Sequence, residues 1–180
     1  MSSASLDFQQ TYFQLFGLEQ SFSLDMQSLE RQYRALQMRV HPDKSAHLPD
    51  AEQRVAMQQA TFVNEAYQTL RSPLRRSRYL LKINGVDTQE ETNTAMATDF
   101  LIAQMEWREA VIAEQQARDV DGLGELETRM QTETSELEAQ LADKIDTDKN
   151  YAGAAELVRK LRFMEKLAEE IHAAYDAIDH

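Results

Sequence analysis

The fold is decided by the stretch LERQYRALQMRVHPDK, which spans Leu29 to Lys44. Apolar residues recur here and just upstream at alternating spacings of three and four, the pattern of a helix that buries one stripe. They are Met26, Leu29, Tyr33, Leu36 and Val40. The helix has to end near Val40, because Pro42 disfavours helical geometry at His41 and removes a backbone donor. The sequence therefore predicts a helix that stops at a proline-stiffened turn.

The predicted turn and the helix before it carry positive charge. The basic residues are Arg31, Arg34, Arg39 and Lys44. Because Pro42 stiffens the backbone, His41 and Asp43 are expected to stand at a solvent-exposed turn beside them. A rigid loop next to a positive patch favours docking of an acidic partner. A turn that merely connects two helices is the alternative interpretation.

Three further helices are predicted around this turn: Thr11–Leu18, Asp50–Arg71 and Leu74–Ile83. Gly17 suits the end of the first one, and Pro73 suits the first turn of the last one. The long middle helix is expected to bury one apolar stripe. Its members are Val55, Phe62, Val63, Ala66, Tyr67 and Leu70.

This region resembles the J-domain family. The matching stretches are Leu29–Lys44 and FVNEAYQTLRSPLRRSRYLL (Phe62–Leu81), and the likeness covers residues 10–83. Members are co-chaperones of the heat-shock seventy-class (DnaK-type) ATPases. Their His-Pro-Asp loop and the basic helix face before it dock on the ATPase domain and stimulate ATP hydrolysis. The resemblance implies that His41, Pro42 and Asp43 act as this trigger. It implies electrostatic contacts by Arg31, Arg34, Arg39 and Lys44.

The charge is distributed unevenly along the chain. Its 180 residues include 19 Lys and Arg against 31 Asp and Glu, for a net charge of −12. Residues 1–84 hold 10 basic and 8 acidic residues, a net of +2, while residues 85–180 hold 9 and 23, a net of −14. This asymmetry predicts two domains, 1–84 and 95–180, joined by a linker at 85–94. A chain this acidic is not expected to bind nucleic acid through a general electrostatic footprint.

The second region predicts three helices, Ala97–Asp121, Gly124–Asp146 and Tyr151–Asp179. Apolar residues recur along them at spacings of three and four, which packs helices side by side at small crossing angles. The short links near residues 122–124 and 147–150 imply antiparallel neighbours. Because Gly (5) and Pro (3) are also scarce, the expected fold class is all-α. A J-domain with a helical hairpin and short helices is expected to precede an antiparallel three-helix bundle.

Some apolar residues are surplus to the seams of this bundle. Phe100, Trp107 and Val111 suffice as the core stripe of its first helix. Beside that stripe lies a second set: Leu101, Ile102, Met105, Glu106 and Glu109. In the last helix, Phe163 falls about 100° from the stripe that contains Met164. Exposed apolar side chains rimmed by carboxylates are typical of a binding face. A wide core-facing helix with a stray aromatic is the alternative.

The pattern that follows the J-domain resembles the HscB family, called Jac-type in mitochondria, whose members are co-chaperones of iron–sulfur cluster assembly. The matching stretches are FLIAQMEWREA (Phe100–Ala110), EQQA (Glu114–Ala117) and VRKLRFMEKL (Val158–Leu167). In this family the bundle binds the cluster scaffold protein (IscU-type). The residues implied here are Leu101, Ile102, Met105, Glu106, Glu109 and Phe163. The family's acidic surface continues one further turn, where this chain has Ala113 and where Glu114 is rotated away.

The resemblance implies an adaptor that is not an enzyme. It would deliver an IscU-like scaffold to an HscA-like chaperone and stimulate that chaperone's ATPase. No cofactor and no metal are expected. No membrane is expected either, since no apolar run reaches the roughly 20 residues of a membrane span. A homodimer stays open. The cysteine-free chain lacks the tetracysteine zinc module of many eukaryotic members, which favours a bacterial, cytoplasmic protein.

Two alternatives to this function remain at the level of the sequence. One is a J-domain co-chaperone that delivers a different client. The other is a metal-dependent enzyme that uses the His/Asp loop, with His41, Asp43, His47 and Asp50 as ligands.

Overall fold

The structure, a computed structural model, describes residues 7–41, 49–88 and 97–179. All regular secondary structure within these ranges is helical, which confirms the predicted all-α class. The helices are α1 (Tyr12–Leu15), α2 (Met26–Val40), α3 (Asp50–Arg71), α4 (Pro73–Ile83), α5 (Thr98–Ala117), α6 (Val120–Ala142) and α7 (Tyr151–Asp179), with a π-helical turn at Asp143–Thr147. The chain divides into two compact units, residues 1–80 and 81–180. The predicted linker at 85–94 lies mostly outside the described residues, and its extent stays a prediction.

The first unit is organised by the packing of α2 against α3. Met26, at the start of α2, contacts Arg76 just beyond the end of α3. Tyr33 stacks on Tyr67 midway along both helices, with ring centroids 3.9 Å apart. The two helices therefore run antiparallel. Their facing stripes are buried and contain Leu29, Leu36, Val40, Val63, Ala66 and Leu70. All six were predicted from their spacing, and their burial leaves the opposite face of α2 in solvent.

Two residues expected in this core are exposed instead. Met26 is 40% exposed and Val55 is 44% exposed. Met26 is the first residue of α2, so the stripe begins at the edge of the unit. Val55 precedes Tyr67 by twelve residues, whereas α2 ends only seven residues after Tyr33. Because the two tyrosines set the register of the pair, Val55 lies beyond the end of α2.

The short helix α1 and the part of α4 up to Leu80 complete the first unit. Gly17, with a φ of 62°, follows α1 and ends it earlier than predicted. Tyr12 stacks on Tyr79 of α4 with ring centroids 4.3 Å apart, and its backbone N–H donates to the Tyr79 hydroxyl at 3.0 Å. Arg76 is buried and donates to the carbonyl oxygen of Leu70 at 2.7 Å. This hydrogen bond satisfies one of the last carbonyls of α3, which the helix itself leaves without a partner.

In the second unit, α5, α6 and α7 each pack against the other two, as expected of a three-helix bundle. The interior contains Trp107, Val111, Leu123, Met130, Leu137, Leu141, Ile145, Leu157, Leu161, Met164 and Ile171. Trp107 and Val111 are two of the core residues predicted for α5, and the α7 residues among these recur at spacings of four, three and seven, in keeping with the predicted pattern. The bounds of α7 are those predicted, because Asn150 caps it: its Oδ1 accepts the N–H of Gly153 at 2.8 Å.

The link between α5 and α6 differs from the prediction. The two helices are joined by Arg118 and Asp119 alone, so Gly122 and Gly124 lie inside α6. Arg118 adopts the left-handed conformation (φ 54°) that ends α5. The Asp119 carboxylate accepts the N–H of Gly122 at 2.9 Å and caps α6. A side-chain cap thus decides the turn, and Leu123, predicted to lie in a link, becomes fully buried.

None of the described helices is long and apolar enough to cross a membrane. Within the described ranges, no cluster of three or more His, Cys, Asp and Glu side chains has the arrangement of a metal site. Two of the four residues considered as ligands, Asp43 and His47, lie outside those ranges.

Candidate functional site: a basic helix face and an acid-edged apolar face

The first candidate surface is the exposed side of α2, called here the basic face and defined by Arg31, Arg34 and Arg39. All three arginines are exposed. Arg31 Nη2 donates to Ser28 Oγ at 2.8 Å, and Arg34 pairs with Glu30 one turn earlier. Exposed ion pairs of this kind are weak, so Arg34 can exchange Glu30 for the carboxylate of a binding partner. With three Arg and one Glu, α2 carries a net charge of +2 on an acidic chain.

Both ends of α2 are set by local chemistry. At its start, Asp25 accepts hydrogen bonds from the backbone N–H groups of Gln27 and Ser28, at 3.0 and 3.2 Å. The Ser28 hydroxyl donates to the same carboxylate at 2.6 Å. These bonds, the hydroxyl's first, lower the pKa of Asp25 below its ordinary value. At its end, His41 has an extended backbone (φ −60°, ψ 131°), so the helix stops at Val40 as predicted.

The predicted trigger is described only in part. His41 is exposed and follows directly on the basic face. Pro42, Asp43 and Lys44 lie outside the described residues, and their roles stay predictions.

The second candidate surface lies on α5 and is called the α5 face. It is defined by Leu101, Ile102, Met105, Glu106 and Glu109, all of which are exposed. The apolar members are 43%, 49% and 62% exposed, in chain order. The core side of the same helix is buried at Trp107 and Val111, as the pattern predicted. The sequence left two interpretations open: a face of exposed apolar side chains rimmed by carboxylates, or a wide core-facing helix with a stray aromatic. The exposure of these five residues matches the first interpretation, whereas Phe163 does not.

The expectation that Phe163 is exposed was wrong. Its ring is only 5% exposed and packs edge-on against Phe100, with centroids 5.7 Å apart. The guanidinium of Arg108 lies over the ring at 5.8 Å. The physical reason is that α7 packs against both α5 and α6, so it needs two adjacent buried stripes. Phe163 belongs to one stripe and Met164 to the other. A binding role for Phe163 stays a prediction.

A cleft between the three helices was not expected from the sequence. It has a volume of about 550 Å³, and its lining includes Phe100, Trp107 and Phe163. Arg129 covers the Trp107 ring at 4.1 Å and pairs with Glu133 at 3.3 Å. A spacing of seven residues, about two helical turns, places Phe100 and Trp107 along one side of α5. This spacing is the signal in the sequence that points to the cleft.

Beyond Glu109 the surface of α5 changes character. Ala113 is exposed, whereas Glu114 is half-buried and folds back toward α6. A Cβ at Gly122 would come within 2.5 Å of Glu114 Oε2, so this carboxylate lies directly over the Gly122 backbone. Ile112, which was not among the residues predicted for the α5 face, is 49% exposed.

Two protein families match the two units. Residues 11–79 match the DnaJ domain, and residues 96–172 match the HSCB C-terminal oligomerisation domain. A DnaJ-type hairpin followed by this bundle makes the chain a J-domain co-chaperone. The co-chaperone protein HscB homolog of Azoarcus sp. (strain BH72) is 48% identical over 176 residues, which are 98% of this chain and 99% of the relative. The chain therefore belongs to the HscB co-chaperone family, which confirms the family expected from its residues.

Other relatives and solved structures agree. The HscB homolog of Chromobacterium violaceum is 49% identical over 172 residues, covering 96% of this chain and 97% of the relative. The structure of chaperone HscB from Vibrio cholerae has a TM-score of 0.84 and 38% identity, over 92% of this chain and 98% of that one. The crystal structure of human co-chaperone HscB has a TM-score of 0.86 and 31% identity, over 94% and 84%.

Proposed function

We propose that this chain is an adaptor of iron–sulfur cluster assembly. It binds an IscU-like scaffold protein on the α5 face and delivers it to a DnaK-type, HscA-like chaperone, whose ATPase it stimulates. The observation that carries the proposal is the pairing of two unlike exposed surfaces in one chain: a basic helix face that ends at the exposed His41, and an acid-edged apolar face on a separate unit. Membership in the HscB family supports it.

The basic face acts through charge and position. Its arginines attract an acidic chaperone surface and orient the approach, which raises the association rate more than the affinity. His41 then reaches the chaperone together with the turn that follows it. The hydrolysis chemistry belongs to the chaperone, so this chain accelerates it by binding the hydrolysis-competent state more tightly than the other state.

The α5 face acts through burial. Fully burying an aliphatic side chain is worth about 1.5–3 kcal/mol, and Leu101, Ile102 and Met105 are each about half exposed. Covering all three therefore contributes about 2–4 kcal/mol, or one to three powers of ten in Kd. Glu106 and Glu109 edge this surface, and they select a scaffold that carries Lys or Arg opposite them. The proposed adaptor needs no chemistry of its own.

The test is the steady-state ATPase rate of an HscA-like chaperone, with this protein and an IscU-like scaffold added singly and together. We expect stimulation by each and a synergistic rate with both. His41→Gln should abolish stimulation by this protein and leave its scaffold binding unchanged. The matched variant, Leu101→Ala with Met105→Ala, should keep the stimulation without scaffold and lose the synergy.

Three results would count against the proposal. Stimulation that survives His41→Gln removes the turn from the mechanism. Stimulation without any scaffold binding favours a J-domain co-chaperone for another client. An α5 face that is covered by a second copy of the chain in solution, seen by sedimentation equilibrium, favours self-association instead. The bacterial relatives make a bacterial cytoplasm the proposed setting.

A further inference from the structure

Ile112 continues the line of apolar side chains that begins on the α5 face. It follows Leu101 by eleven residues and Met105 by seven. At 100° per residue these spacings place all three within about 40° of one another around the helix axis. At 1.5 Å per residue, the line from Leu101 to Ile112 is about 16 Å long. Its three members are 43%, 62% and 49% exposed, in chain order.

The one long side chain between Met105 and Ile112 on this line is turned away from it. Arg108 lies four residues before Ile112, but its Nε pairs with Glu170 of α7 at 3.4 Å. Its guanidinium also lies over the ring of Phe163, another residue of α7. Because both of these partners belong to α7, the side chain of Arg108 is directed toward α7. It therefore leaves the apolar line open to a binding partner.

Glu109 stands beside this line, between its last two members. It follows Met105 by four residues and precedes Ile112 by three, and both spacings make side chains neighbours on a helix surface. The next carboxylate along the chain, Glu114, lies over Gly122 and faces away. Glu109 is therefore the last acidic side chain at this edge of α5, and it has an apolar neighbour on each side.

We infer that Ile112 is a further scaffold-contacting residue, and that it acts together with Glu109. This inference rests on the proposed function. When the scaffold covers α5, Ile112 extends the buried apolar ridge and excludes water from the ion pair that Glu109 makes with a Lys or Arg of the scaffold. An ion pair is stronger when water is excluded from it, and apolar contacts around a polar one have this effect in protein interfaces. The partner surface that fits is an apolar groove about 16 Å long with one cation at its side.

The experiment measures scaffold binding to the full-length chain by calorimetry. Ile112→Ala removes about half of one fully buried aliphatic side chain, so Kd should rise about three- to tenfold. The matched control is Val120→Ala, because Val120 is also 49% exposed but begins α6. It should change Kd less than about twofold. Ile112→Met, which keeps the apolar bulk, should bind the scaffold with a Kd close to that of the parent chain.

A double-mutant cycle tests the link to Glu109. Glu109→Gln should weaken binding more in the parent chain than in Ile112→Ala, and the difference should shrink at high salt. Effects of Glu109→Gln that are equal in both backgrounds would overturn the shielding of the ion pair.

The remaining outcomes separate this inference from the proposed function. If Leu101→Ala weakens scaffold binding and Ile112→Ala does not, the inference fails and the proposed function stands. If neither change weakens binding, the proposed function fails with it. A loss of binding in Ile112→Met as large as in Ile112→Ala would also overturn the inference, because apolar bulk would then not be what the scaffold contacts.

Discussion

Replacing Phe163 by alanine removes a ring on which the bundle depends. Truncating a buried phenylalanine costs about 3–5 kcal/mol of unfolding free energy. The edge-on contact with Phe100 accounts for about 0.5–1.5 kcal/mol of that. Since Phe163 also borders the cleft of about 550 Å³, part of the space is already open and the cost should lie near the lower end, about 3 kcal/mol. Leu101→Ala, at an exposed position, should cost no more than about 0.5 kcal/mol.

The assay is urea unfolding followed by tryptophan fluorescence. Trp107 is the only tryptophan of the chain, is 3% exposed and borders the same cleft, so its emission reports on the second unit alone. Phe163→Leu serves as the matched variant. It keeps most of the apolar burial and loses the ring geometry, so it should cost about 1–1.5 kcal/mol.

One outcome would contradict the burial of Phe163. If Phe163→Ala costs less than about 1 kcal/mol, as an exposed position would, while scaffold binding falls strongly, the ring lies on the surface in solution. Phe163 would then belong to the α5 face after all.

Two further predictions concern the backbone at two glycines and the N-terminal cap of α2. Gly124→Ala should raise the unfolding free energy by about 0.5–1 kcal/mol in the same assay, because a Cβ there would meet Tyr175 Oη at an ordinary 3.6 Å inside a helix. The same change at Gly17, with a φ of 62°, should instead lower the unfolding free energy of the first unit. It is followed by far-UV circular dichroism, because Trp107 reports on the second unit alone, and equal effects at both glycines would contradict this. The depressed pKa of Asp25 means that its cap stabilises the fold above pH 3.8 and that this contribution is lost as the pH falls through the lower folded pKa. Asp25→Ala should therefore lower Tm clearly at pH 6 and progressively less below pH 3.8, and a Tm loss independent of pH would count against the ionised cap.

Several elements were predictable because the signals that set them are local. The bounds of α3 and α7 are those predicted, and α2 ends at Val40 because Pro42 follows two residues later. A proline or a capping side chain acts within one turn of helix, so its effect can be read from neighbouring residues. The exposed apolar members of the α5 face were predictable for a related reason. Phe100, Trp107 and Val111 sufficed as the core stripe of α5 in the sequence, so Leu101 and Met105 were predicted to be surplus to it, and both are exposed.

Two of the failures, at Phe163 and Val55, share a cause that lies outside the local sequence. Phe163 was expected on the surface because the spacing assigns one buried stripe to α7, but the number of buried stripes depends on how many helices α7 contacts. Val55 was expected in the core because its spacing was right, but α2 ends before reaching it.

Local sequence patterns were enough to predict an all-helical chain, the bounds of α3 and α7, the end of α2 at Val40 and the family that the chain resembles. Tertiary structure decided which spare side chains remain in solvent. It buried Phe163 between helices, turned Arg108 toward α7 and left Ile112 open at the end of the α5 face. The physical reason is that helix formation depends on residues a few positions apart, whereas burial depends on which distant helix arrives opposite each face.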